Sequence, residues 1–125
     1  MTRRRVAPRF AAVLGLGKAG LSLVASLLDA KVPVVAGARR LPALARERGE
    51  LPRAALFLAV PDGALEQVVA GLARWPELPR AVVHLAGARG LDVLAPLARR
   101  TAIASFHPLA SLDGEHAIPR GTLIA

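Results

Sequence analysis

Three glycines in the spacing G-x-G-x-x-G, Gly15, Gly17 and Gly20, stand between a short apolar run, Phe10 to Leu14, and a segment in which Leu21, Val24, Ala25 and Leu28 recur at helical spacing. The run of five is too brief for a helix and ends in glycine, so it reads as a strand; the segment from Lys18 to Ala30 reads as a helix. A strand, a glycine turn and a helix in direct succession leave few folds open. The arginines Arg3, Arg4 and Arg5 ahead of this apolar stretch also resemble the start of a secretory signal. Against that, Lys18 interrupts the stretch and Asp29 closes it, well short of the ~20 apolar residues a membrane span requires. The segment is therefore structure, and no membrane partner is expected.

The rest of the chain keeps alternating. Val32 to Gly37 reads as a second strand, with Pro33 tolerable only near its start. A short helix follows, with Pro42 in its first turn and Gly49 as its stop. Ala54 to Val60 is the clearest strand, ended by Pro61, Asp62 and Gly63, where Asp62 can cap the helix that runs to Trp75. Ala81 to Gly87 is a further strand, Leu91 to Arg100 a helix that Pro96 can kink, Thr101 to His107 another strand, and Gly121 to Ala125 a last one. Strand–helix alternation of this kind predicts βαβ units in an α/β fold, a doubly wound, mostly parallel sheet in three layers, α/β/α. The chain is 54% hydrophobic but only 3% aromatic, so Ala, Val and Leu must build the core, which suits strands apolar on both faces. At 125 residues it is expected to be one domain, residues 1–125, large enough for a real core.

After a first strand and at the opening of a first helix, the glycines become the Rossmann fingerprint for a dinucleotide. Gly15 makes the tight turn, Gly17 lets backbone approach a diphosphate, and Gly20 lets the helix pack close to the sheet. The expected cradle is Gly15, Leu16, Gly17, Lys18 and Ala19, where the helix N-terminus offers unsatisfied N–H groups. A fold of this type that has lost its ligand would keep the same pattern. At the end of the second strand an NAD site carries an acid for the ribose 2′-hydroxyl. Here Gly37 and Ala38 lead into Arg39 and Arg40, with no carboxylate nearby. Arginine grips a 2′-phosphate that a carboxylate would repel, so the cofactor expected is NADP. Two solvated arginines at a helix start are the plainer alternative.

GLGKAG, LFLAVPDGAL, VVHLAGARGLDVLAPL and SFHPLASL follow one another in an order that resembles the Rossmann-like NADP oxidoreductases with a DUF2520 C-terminal domain. These are similar to the wider group of 6-phosphogluconate dehydrogenase, pyrroline-5-carboxylate reductase and prephenate dehydrogenase. The resemblance implies cofactor binding by Ala59, Val60 and Pro61 along the nicotinamide-side ribose and by Leu85, Ala86 and Gly87 beside the ring. It also implies that His107 stands at the mouth of the last parallel strand, the one catalytic candidate. Ala110 and Leu112 stand where the family pattern has glutamine and phenylalanine, which leaves the substrate open. The resemblance further implies a helical second domain that closes such sites and usually forms a dimer, and that domain is expected to lie outside residues 1–125. Either the chain is a cofactor domain cut from a longer protein, or it is a module that functions alone.

His84 lies within a strand and reads as a packed, hydrogen-bonded core histidine; His116 sits in a polar loop with Asp113 and Glu115 at no metal-ligand spacing. No metal is expected. Nor is a hydrolytic triad, since there is no G-x-S-x-G elbow. Without cysteine the chain has neither disulfides nor thiolate metal sites, which is compatible with the cytoplasm, its expected location. A net charge of +8 invites nucleic acid as a partner, but the basic residues are scattered in small groups and no aromatics are interleaved to stack bases. Three readings remain. One is an NADP-dependent reductase or dehydrogenase acting on a small carbonyl or imine. The second is a cofactor-sensing module without turnover, and the third a basic scaffold.

Overall fold

A computed structural model describes residues 10–46, 51–85 and 90–105. Five strands form one sheet: β1 (Phe10–Leu14), β2 (Val34–Ala38), β3 (Ala54–Leu58), β4 (Ala81–His84) and β5 (Ala102–Ser105), in the order β2-β1-β3-β4-β5, all parallel. Three α-helices lie between them, α1 (Lys18–Asp29), α2 (Leu41–Ala45) and α3 (Asp62–Ala73), with a 3₁₀ turn at Leu51–Arg53 and a 3₁₀ helix at Leu91–Leu97. From β1 the chain steps to β2 on one side, then returns past β1 to β3 and continues outward. Right-handed crossovers therefore put α1 on one face and every later helix on the other. The two cores follow that division. Leu14, Leu56, Leu58 and Val82 pack with Leu44, Leu65, Leu72 and Leu94, while Ala11 and Val13 pack with Leu23 and Leu27. The sheet is doubly wound, in three layers.

The phase of α1 about its axis is set by one contact. Gly20 lies so close to Gly15 that a Cβ at residue 20 would collide with the Gly15 carbonyl oxygen. With Gly20 held against the sheet, the residues three and seven further on, Leu23 and Leu27, must face inward, and Ser22 and Ser26 are buried beside them. Leu21 and Leu28, which mark the helix in the sequence, point outward at 46% and 58% exposure. The helix ends in a Schellman motif, Val32 N–H to the Leu27 carbonyl at 2.8 Å and Lys31 N–H to the Leu28 carbonyl at 3.0 Å. Lys31 takes the left-handed position, φ 61°, where glycine is usual.

This exit explains why β2 begins at Val34 rather than Val32: the intervening residues close the helix. Pro33 stays outside the strand and offers only its carbonyl, to Ala11 N–H at 2.9 Å. β3 ends at Leu58, not Val60; Ala59 N–H still donates to the Leu14 carbonyl at 2.8 Å before the backbone turns away. β4 likewise ends at His84 and β5 spans Ala102–Ser105. Asp62 is not the cap of α3; Pro61 holds that position and Asp62 is the first helical residue. The helix expected from Leu91 is 3₁₀ rather than α. Pro96 has no N–H to give an α-type bond, and its ring would crowd the carbonyl four residues earlier. Gly49, His116 and the strand expected at residues 121–125 lie outside the described residues, as does the end of the strand expected to reach His107. Among the described residues no helix is long and apolar enough to cross a membrane.

Candidate functional site

β1 and β3 are neighbours whose following helices leave to opposite faces, which opens a crevice at the C-terminal ends of the strands. Gly15 and Ala59 form its floor. Gly15 has φ 97°, and its N–H donates to the Ala38 carbonyl at 2.7 Å. A Cβ there would strike the Ala59 carbonyl oxygen. Gly15 and Gly20 are thus both demanded by internal packing.

Gly17 is different. Its φ of −76° and ψ of −162° suit any residue, and a Cβ would meet nothing within 4 Å. The space beside it belongs to the crevice. Gly17 is also the N-cap of α1 with no side-chain cap, so the first amides of the helix lack the usual acceptor. The first turn holds no acid and opens with exposed Lys18. A cation at a helix N-terminus opposes the helix dipole, costing about 0.3–1 kcal/mol unless an anion sits there. α3, whose N-terminus borders the same crevice, has its own acid in Asp62. Of the two helix N-termini on this crevice, only that of α1 has no acid in its first turn.

The crevice has two lobes. The first, about 530 Å³, runs between Gly15, Leu16, Gly17, Lys18 and Ala19 on one wall and Ala59, Val60, Pro61 and Asp62 on the other, with Arg39 at one end and Leu85 at the other. The second, about 560 Å³, shares Arg39, Val60 and Pro61 with the first and continues between Arg40, Leu41 and Pro42 of the α2 side and Ala64, Gln67 and Val68 of α3. The lobes meet at Arg39. α3 passes close to the start of α2: a Cβ at Gly71 would lie 2.6 Å from Leu41 Cδ2, the far end of a flexible side chain.

Ten of the residues singled out in the sequence line the first lobe together: Gly15, Leu16, Gly17, Lys18, Ala19, Arg39, Ala59, Val60, Pro61 and Leu85. Arg40 borders only the second. Ala86, Gly87 and His107 lie outside the described residues. Asp62 was legible as a helix-start residue but not as part of the wall. Nothing in the sequence marks Ala64, Gln67 and Val68, ordinary helical positions that become a wall only when α3 meets α2. His84 is fully buried on the opposite side of β4 from Leu85, its Nε2–H donating to the Gly90 carbonyl at 2.8 Å, a contact that ties β4 to the start of the 3₁₀ helix. No group of three or more potential metal ligands occurs among the described residues.

A family model described as a Rossmann-like domain matches residues 11–108. No curated protein and no solved structure matches the chain.

Proposed function

The chain belongs to the Rossmann-like domain family, and from that premise we propose that it is the NADP-binding part of a cytoplasmic reductase or dehydrogenase acting on a small carbonyl or imine. The fold suggests a nucleotide cofactor. The observation that carries the finer assignment is Gly17, a glycine with no packing reason to be one, beside uncapped helix amides on the wall of the first lobe. A dinucleotide has two bulky ends and an anionic middle; the first lobe carries the α1 amides and Lys18 on its wall and joins the second at Arg39, Val60 and Pro61.

When bound, the nicotinamide supplies the hydride chemistry. The protein holds and orients it. The α1 amides and Lys18 bind the diphosphate, and Arg39 with Arg40 binds the 2′-phosphate at the junction of the lobes, leaving the second lobe for adenine. The family resemblance implies that Ala59, Val60 and Pro61 serve the nicotinamide-side ribose, Leu85, Ala86 and Gly87 the ring, and His107 the substrate; of these, Ala59, Val60, Pro61 and Leu85 line the first lobe. Gly17, Lys18, Arg39 and Asp62 are exposed, so the described walls do not exclude water. Binding and turnover therefore separate, and a sensing role without turnover uses the same walls. Calorimetric titration with NADPH and NADH tests the assignment. One or two charge-assisted bonds of about 1.5–3 kcal/mol predict NADPH tighter by roughly ten- to a hundredfold. Equal affinities would remove the arginines from the assignment, and no binding of either would remove the cofactor.

A further inference from the structure

Basic residues that are scattered along the sequence are gathered by the fold. In an all-parallel sheet with helical crossovers, strand N-termini and helix C-termini share one end, here the end opposite the crevice. Arg53 and Arg80 immediately precede β3 and β4, Arg99 and Arg100 lie just ahead of β5, and Arg74 is the C-cap of α3. Ala55 pairs with Ala81 and Ala81 with Ala102, so the arginines ahead of these strands stand at three adjacent strand starts, about 10 Å across. Arg100 draws the end of α3 into the same group. Its guanidinium donates to the carbonyls of Ala73 at 2.9 Å, Trp75 at 2.6 Å and Pro76 at 3.3 Å. All five arginines are exposed, and the stretches 51–55, 73–81 and 98–102 that carry them hold one acid, Glu77. Helix dipoles favour cations at Arg74, Arg99 and Arg100, but Arg53 and Arg80 open strands, whose net dipole is small. Like charges collected at one end repel one another and favour a partner that is itself a polyanion.

The same end holds a hollow of about 200 Å³, lined by Leu51, Pro52, Trp75, Pro76 and Glu77. Trp75 is half-buried: it packs against the core and also lines the hollow. An aromatic ring and two prolines suit a flat ring, and Glu77 repels phosphate while it can accept from a base amino group. We propose that this end of the sheet binds single-stranded nucleic acid, with phosphates on the arginines and a base in the hollow beside Trp75. All five cations are arginine, whose planar fork matches a pair of phosphate oxygens better than the point charge of lysine. An acidic protein surface would satisfy the arginines but not the hollow, and a duplex keeps its bases stacked inside. The aromatic that the sequence fails to interleave with its basic runs is supplied by the fold, since Arg100 is bonded to the carbonyl of Trp75 itself. The site lies away from the crevice and does not rest on the cofactor assignment.

Fluorescence anisotropy of labelled oligo-dC, about 12 nucleotides long, titrated with the full chain should show saturable binding. Arg100 is held on backbone carbonyls; with each of the other four arginines neutralising one phosphate, affinity should fall roughly 50-fold between about 50 and 200 mM salt. Arg53→Gln with Arg80→Gln should reduce that fall to roughly sevenfold, with far-UV circular dichroism and NADPH titration unchanged. Should the pair fail to fold, Arg53→Gln alone should leave a fall of roughly twentyfold. An abasic strand of the same length should bind at least about fivefold more weakly, because it has nothing to stack. Saturating NADPH should displace none of the strand. A salt dependence that the arginine variants leave intact would put the phosphates elsewhere, and displacement by NADPH would put them in the crevice; either result overturns the proposal. An abasic strand or poly-glutamate bound as tightly as oligo-dC would make this end a site for acidic protein surfaces instead, and no binding at about 50 mM salt would end the proposal outright.

Discussion

Replacing Gly17 by Asp should move stability and ligand affinity in opposite directions. The backbone at Gly17 is extended and open to any side chain, so the substitution brings neither strain nor collision. An Asp at the N-cap accepts from the free amides of the first turn and faces the positive end of α1, in place of a cap with no side chain. That should stabilise the fold by about 0.5–1 kcal/mol. The same carboxylate would stand where the diphosphate must lie. At about 5 Å and an effective dielectric near 20, each pair of like charges costs about 3 kcal/mol. The diphosphate carries two charges and Lys18 offsets about one of them, so NADPH binding should weaken by at least about a hundredfold. Urea denaturation reads the first effect and fluorescence titration with NADPH the second. Affinity within twofold of the parent would refute the location of the diphosphate. A fall in both quantities would show that Gly17 serves the fold rather than the ligand.

Four further outcomes are expected. Arg39→Asp should weaken NADPH and bring NADH level with it, because a carboxylate repels the phosphate and accepts the 2′-hydroxyl; an equal change in both affinities would make Arg39 mere surface charge. Gly20→Ala should prevent cooperative unfolding or lower stability by several kcal/mol, since its Cβ would meet the Gly15 carbonyl; a loss under 1 kcal/mol would mean that α1 can rotate or lift off the sheet. Lys31→Gly should raise stability by about 0.5–1 kcal/mol through relief at the left-handed helix exit, and a destabilised variant would argue that Lys31 does more than fill that turn. The 125-residue chain should quench or shift NADPH fluorescence yet consume no keto acid or cyclic imine, because its described walls leave the hydride donor open to water; steady NADPH oxidation, lost in His107→Ala, would contradict this.

What could be read from the chain alone was whatever is short-range. The β1–turn–α1 unit is contiguous, and its strand and helix stand almost where the pattern puts them. The alternation of apolar runs likewise carried the parallel α/β class, since each strand between two helices needs an apolar run of its own. Strand ends were overestimated at β3 and β4 because Ala59, Val60 and Leu85 are as apolar as the residues before them; they leave the ladder to form the crevice, which no local pattern records.

The division of labour among the three glycines was not local. Gly15 is held by the carbonyl of Ala59, a residue 44 positions away, whereas Gly17 meets nothing. The same holds for the second lobe, whose walls are Arg40, Leu41 and Pro42 on one side and Ala64, Gln67 and Val68 of α3 on the other, residues far apart in the chain. It holds most plainly for α1. Its periodicity is satisfied with Leu21 and Leu28 on the inside as well as on the outside. The close packing of Gly20 on Gly15 chooses the rotation, buries two serines, and sends two leucines to the surface. A hydrophobic pattern specifies that a helix has an apolar side; a backbone contact at van der Waals limit specifies which side faces the sheet, and steric repulsion at that range outweighs what a few half-buried methyl groups can return.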